Sequence, residues 1–197
     1  DPQHRLLLEE TWHALEDAGI PLESLSKART SVSIGQCSSD YTVLSRVRNT
    51  AYSVPGILQS SAAGRISFCF GFEGPCVSID TACSSALTAL QYGCETLRSQ
   101  DCDISICGGT QANVSGERFL SYLRMGVTST SGFCKSFDAS ADGFERSEVC
   151  GVVVLAHERI VTNYKITSKA VIRSVCVNHD CKSTSYTSPN GLAPDAV

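Results

Sequence analysis

The stretch Ser78-Ile79-Asp80-Thr81-Ala82-Cys83-Ser84-Ser85 constrains the fold of this chain more than any other. An apolar, β-prone run from Cys76 to Ile79 stops abruptly in small residues around one cysteine. A helical pattern follows at once, with Leu87, Leu90, Gly93, Cys94 and Leu97 at helix-like spacing. A strand that turns sharply into a helix puts the Cys83 thiol at a helix amino end. Unpaired N–H groups and the helix dipole favour negative charge there, and the thiolate is the nucleophilic form. Small neighbours leave room for a carbonyl to approach. The arrangement parallels the nucleophile elbow of serine hydrolases, with sulfur in place of oxygen. Ser84 and Ser85 read as helix-capping and space-making residues.

Around this element the chain alternates helical and β-prone segments. Leu7, Thr11, Ala14, Leu15 and Ala18 fall on one helical face, with Gly19 as the stop and Pro21 beyond it. Thr30 to Gly35 reads as a short strand, Ser38 to Arg48 as loop with some helix, and Val54 to Ala63 as a helix ending near Gly64. Phe68 to Phe70 and Cys76 to Ile79 read as strands flanking the turn at Gly71 to Pro75. The elbow helix runs to about Ser99. Asp103 to Cys107 is β-prone with a stop at Gly108-Gly109. Gly116 to Met125 reads as a short helix and loop, and Ser129 to Glu148 as an ordered functional loop. Val149 to Ala156 and Ala170 to Val177 read as strands. Such alternation argues an α/β fold with a mainly parallel or mixed sheet. No Pro/Gly/Ser linker, repeat or low-complexity tract divides the chain, so residues 1–197 are expected to belong to one domain.

Composition excludes several classes. The formal net charge of −4 and scattered Lys and Arg give no nucleic-acid footprint. No apolar run approaches the roughly 18 residues of a membrane span, and no charged start with an apolar core marks a signal peptide. The chain is too large and too rich in core to need its eleven cysteines as a disulfide scaffold. Cys69, Cys107 and Cys176 sit inside apolar runs and are expected to be small buried residues. A reducing compartment is therefore expected, the cytoplasm or a plastid.

The remaining polar clusters carry plainer readings. Cys176, His179 and Cys181 lack paired metal-ligand spacing, so no metal is expected. His179 reads as a turn residue, His157 as a strand-end residue, and His4 and His13 as solvated or packed on the opening helix. Asp138, Asp142, Arg146 and Glu148 read as a hydrogen-bonded brace near the site entrance, with Arg146 able to grip a carboxylate bidentately. The Gly108-Gly109 pair reads as room for close packing beside the elbow helix.

Ten ordered segments resemble the β-ketoacyl synthase (ketosynthase) domain, most like that of modular polyketide synthases. They include Asp1-Pro2-Gln3-His4-Arg5, Ala63-Gly64-Arg65-Ile66-Ser67, the Asp80-Thr81-Ala82-Cys83-Ser84-Ser85 signature, Lys135-Ser136-Phe137-Asp138, Ala141-Asp142-Gly143-Phe144, Arg146-Ser147-Glu148 and Pro189-Asn190-Gly191. The resemblance implies a thiolase-like fold of layered helices and sheet, of which residues 1–197 supply mainly the first half. It implies that Cys83 carries an acyl chain as a thioester, its backbone N–H serving as an oxyanion donor. A decarboxylative Claisen condensation with a malonyl-type unit on an acyl carrier protein would follow. It implies no bound cofactor, substrates carried on phosphopantetheine, and a homodimer for the intact protein. The family's two histidine segments, "HGTGT" and "K-N-GH", do not occur in this chain. Residues 1–197 alone are therefore expected not to condense substrates. A coenzyme A-dependent thiolase-like enzyme and a non-catalytic scaffold are the rival readings. Val149 and Cys181 stand where the family pattern has glycine. If those glycines take positive φ, Val149 is expected to be strained.

Overall fold

The computed structural model describes residues 1–25, 28–37, 39–45, 50–188 and 190. Local chemistry sets the first element. Asp1 caps helix α1 (Pro2–Ala18) by accepting from the Gln3 amide at 2.9 Å, Pro2 opens the first turn, and Gly19 closes it in the left-handed conformation with φ 65°. Gln3, Leu7, Thr11 and Leu15 fall four residues apart and are buried as one stripe.

The chain continues through α2 (Leu22–Leu25), β1 (Thr30–Gln36), α3 (Tyr41–Ser45), α4 (Ser53–Ile57), α5 (Ser60–Phe70) and β2 (Cys76–Ile79). A 3₁₀ turn (Ala82–Ser84) leads into α6 (Ser85–Arg98), followed by β3 (Ile104–Gln111), α7 (Glu117–Met125), β4 (Val149–Ala156) and α8 (Glu158–Asn163). The four-stranded sheet has the order β2-β1-β3-β4. β1 pairs parallel with β2 and β3, while β4 runs antiparallel to β3. The parallel strands therefore end at one edge, and the elbow follows β2 there.

Helices cover both faces of the sheet. The even residues of β1 and β3 (Val32, Ile34, Ile104 and Ile106) join Leu7, Leu15, Ala62, Ala63 and Ile66 of α1 and α5 in the main core. The odd residues (Ser31, Ser33, Gly35, Ser105, Cys107 and Gly109) lie under α6. β4 follows the same alternation. Cys150, Val152, Val154 and Ala156 pack on the core, whereas Val149 and Val153 on the other face are exposed.

Several sequence expectations are corrected. The single helix expected from Val54 to Ala63 is two, α4 and α5, broken where Leu58 turns extended; α5 continues through Gly64 to Phe70, so Phe68 to Phe70 is helix rather than strand. Gly71 with φ 70° ends it, and Phe70 stacks on Phe72 at 5.5 Å. The strand expected to stop at Gly108-Gly109 runs on to Gln111. Ala170 to Val177 forms no strand; no described strand lies alongside, and Val171 and Val177 are exposed. Cys107 is buried, but Cys69 and Cys176 are exposed. Val149 opens β4 without positive φ and is not strained, whereas Cys181 does sit at φ 55°. Of the segment Ser38 to Arg48, residues 41–45 form α3; residues 38 and 46–48, like Pro189 and Gly191, lie outside the described residues.

Candidate active site around Cys83

Four side chains shape the turn between β2 and α6. Asp80 accepts the Ala82 amide on its carboxylate at 2.9 Å. The Ser85 hydroxyl accepts from the Thr81 amide at 2.9 Å and donates to the Ala82 carbonyl at 2.6 Å. The Ser84 hydroxyl donates to the Thr81 carbonyl at 2.8 Å and meets the Thr81 hydroxyl at 2.9 Å. Thr81 reaches on to Thr88, one turn into α6, at 3.0 Å. Ser84 and Ser85 thus bond backward into the turn. Capping was the sequence expectation, and α6 has no side-chain cap bond at its N-cap. Within this clasp Ala82 takes φ 56°, a left-handed conformation that costs a non-glycine residue roughly 1 kcal/mol or more. Cys83 follows it, exposed, immediately ahead of the first turn of α6.

Two glycines let α6 approach the sheet at this point. A Cβ on Gly109 would come 2.5 Å from the Ala86 Cβ, and one on Gly35 would strike the backbone of Ser85 and Ala86. Of the Gly108-Gly109 pair, Gly109 makes the room under the elbow helix.

The four loop residues do not form one cluster. Asp142 accepts from the Ser129 hydroxyl at 2.8 Å, the Thr130 hydroxyl at 2.6 Å and the Thr130 amide at 3.1 Å, and pairs with Lys135 at 3.2 Å. The Thr130 and Ser129 hydroxyls hold its carboxyl well below the usual carboxylate range. Asp138 is lowered by the amide and hydroxyl of Ser140, both at 2.7 Å. Glu148 accepts from the Asn113 amide at 2.7 Å, which ties the loop's end to the residues after β3. Arg146 makes no bidentate grip. Its guanidinium lies over the rings of Phe119 and Tyr122, 4.6 and 5.2 Å from their centroids, with one nitrogen 3.9 Å from Asp40. Asp40, its side chain 1% exposed, also pairs with Arg118 at 2.7 Å. Sequence reasoning missed this Asp40–Arg118–Arg146 group, because no local spacing links residues so far apart in the chain.

The histidines stand elsewhere. His4 is buried on α1, His13 faces Glu10, His157 precedes α8, and the His179 ring accepts from the Cys181 amide at 2.9 Å in a local turn. Among the described residues no group of His, Cys, Asp or Glu could hold a metal ion.

The layered α/β fold with a thiol at a strand-to-helix turn is of the thiolase-like class, on the strength of its match to solved ketosynthase domains. The chain superposes on an oxazolomycin ketosynthase domain of Streptomyces albus JA3453 with a TM-score of 0.88 at 34% identity, covering 96% of this chain and 33% of that one. It superposes on the ketosynthase from module 6 of the bacillaene synthase of Bacillus subtilis 168 with a TM-score of 0.83 at 30% identity, covering 96% and 32%. Residues 1–159 match the family model for the β-ketoacyl synthase N-terminal domain, and the chain belongs to this family. A phenolphthiocerol/phthiocerol polyketide synthase polypeptide of Mycobacterium tuberculosis (strain CDC 1551 / Oshkosh) is 43% identical over 196 residues, covering 98% of this chain and 11% of that protein. A second polypeptide of that synthase, from the same strain, is 41% identical over 196 residues, covering 98% and 13%. The chain thus spans roughly a tenth of these curated relatives and about a third of the solved domains.

Proposed function

We propose that Cys83 is the acyl-carrying nucleophile of a polyketide synthase ketosynthase. The observation that carries this reading is its place: an exposed thiol on a clasped turn at the amino end of α6. In the loading step the Cys83 thiolate attacks the acyl thioester carbonyl on an acyl carrier protein's phosphopantetheine. The Cys83 backbone N–H donates to the developing oxyanion. The carbonyl then re-forms, the phosphopantetheine thiolate leaves, and the acyl chain rests on sulfur. In the condensing step a malonyl-type unit loses carbon dioxide, and its carbanion forms a carbon–carbon bond to the acyl carbonyl. The Cys83 thiolate is released. That step calls on the two histidine segments of the family pattern, which do not occur in residues 1–197. Residues 1–197 alone load but do not condense. Asp138, Asp142, Arg146 and Glu148 hold the loop before β4 in one shape beside the site.

The partner is the carrier protein, whose phosphopantetheine is substrate rather than a resident cofactor. The intact protein is a homodimer. The reading is supported by β2, a sheet-edge strand, and by Phe68 and Leu87, both exposed on the neighbouring helices. The protein works inside the cell, a reading supported by a cysteine-rich chain with a core large enough to need no disulfide scaffold.

The test is transfer of an acyl group to the unaltered chain and to Cys83→Ala from an acyl carrier protein or from coenzyme A. The expected result is one acyl adduct mapped to Cys83, faster from the carrier protein and absent in the variant. Preferential loading from coenzyme A would favour the rival enzyme class, and no loading from either donor would favour a scaffold.

A further inference from the structure

The turn that presents Cys83 rests on a glycine whose role the sequence did not mark. Gly35 lies on β1 between Ile79 of β2 and Gly109 of β3. A Cβ built on it would fall 2.5 Å from the Ser85 carbonyl oxygen, and nearer still to the Ser85 carbonyl carbon and the Ala86 amide nitrogen. These are backbone atoms of the first turn of α6, so no rotamer change makes room and the helix start itself must rise. Ser85 is 4% exposed. Its hydroxyl bonds to Thr81 and Ala82 on the near side of Cys83, closing the turn in which Ala82 is held at φ 56°.

One path of direct contacts therefore runs from Gly35 to Ser85, from Ser85 to the Thr81–Ala82 turn, and from there along the backbone to Cys83. We propose that Gly35 is a positioning residue for Cys83: its missing side chain sets the height at which Ser85 closes the turn, and so fixes where the thiol and amide of Cys83 meet an acyl carbonyl. This rests on the reading of Cys83 as the acyl-carrying nucleophile.

Two variants separate positioning from plain destabilisation. Gly35→Ala disturbs the seat of the elbow. Gly93→Ala disturbs the same helix two turns away, where a Cβ would strike the Cys107 sulfur and the Ser105 hydroxyl. The readout is iodoacetamide alkylation of Cys83 relative to Cys134, an exposed thiol on a separate loop, with both sites mapped by mass spectrometry and thermal stability followed alongside. Gly35→Ala is expected to lower the Cys83-to-Cys134 ratio about tenfold, because the raised helix start shifts the thiol from the exposed turn that presents it, and alkylation follows access and local environment. Gly93→Ala is expected to lower the melting temperature while leaving the ratio unchanged. If Gly35→Ala does not fold, Ser85→Ala, which keeps the seat and opens the clasp, is expected to reproduce the drop. A ratio within about twofold of the unaltered chain in Gly35→Ala, or an equal drop in Gly93→Ala, overturns the proposal. Failure of the nucleophile reading shows separately, as absence of acyl loading from the carrier protein.

Discussion

The two faces of the sheet solve the packing problem in opposite ways. Toward α1 and α5, β1 and β3 present Val32, Ile34, Ile104 and Ile106, which are fully or almost fully buried among Leu7, Leu15 and Ile66. Toward α6 the same strands present serines, a cysteine and glycines. There the Ser31 hydroxyl donates to Ser105 at 2.8 Å and meets Thr96 at 3.0 Å, and the Cys102 thiol donates to Ser31 at 3.2 Å. Ser33 donates to the Ala89 carbonyl of α6 at 2.7 Å and meets the Cys107 sulfur at 3.3 Å. Burial pushes the Cys107 thiol up, so it stays protonated and behaves as a small packing group. The first face contributes stability through buried apolar area. The second trades area for closeness, bringing the helix of the candidate nucleophile down onto the strands.

The largest expected effect lies on the apolar face. Ile106→Ala should cost about 3–4 kcal/mol in urea unfolding, because Ile106 is 0% exposed and little can collapse into the cavity. His4, a buried ionisable residue of α1, should make stability depend on pH. Burial, with help from the amino terminus and Arg65, lowers its pKa from 6.5 to about 4. Above pH 6.5 the ring is neutral in both folded and unfolded chains. As pH falls from 6.5 towards 4, the unfolded chain binds the proton first, so stability declines by on the order of 2 kcal/mol and then levels off. His4→Gln should flatten that part of the profile in a pH series of urea melts; an unchanged slope would show that His4 is not the titrating group.

The smallest effect belongs to the polar face. Ser31→Ala should cost roughly 1–2 kcal/mol, from hydroxyl and thiol partners left short of a bond rather than from lost area. Removing Ser105 as well should cost less than the sum of the two single changes. A Ser31→Ala penalty equal to that of Ile106→Ala would dissolve the contrast between the faces.

Much of this was legible in the sequence where local chemistry decides the structure. A β-prone run broken by small residues gave β2, the turn and α6, and the strand at Val149 to Ala156 appears with the expected bounds. The errors arose where tertiary contact overrides local signals. Gly64 and Gly108-Gly109 look like stops, yet tolerance within α5 and the demands of close packing keep them inside regular elements. The aromatic run at Phe68 to Phe70 has strand propensity, but Phe70 stacks on Phe72 and Trp12 at the end of a helix. Ala170 to Val177 has the composition of a strand and no described neighbour to pair with. The Asp40–Arg118–Arg146 group joins three separate segments, and nothing in any one of them announces it.

The close approach of α6 also limits how this chain can vary. Where that helix meets the sheet, positions 35, 93 and 109 leave no space for even a methyl group, and their neighbours are serine, cysteine and alanine. Genetic drift there can exchange one tiny side chain for another, whereas the opposite face can trade among bulky hydrocarbons. Two homologues that have diverged widely elsewhere should still spell this surface with the same few short letters.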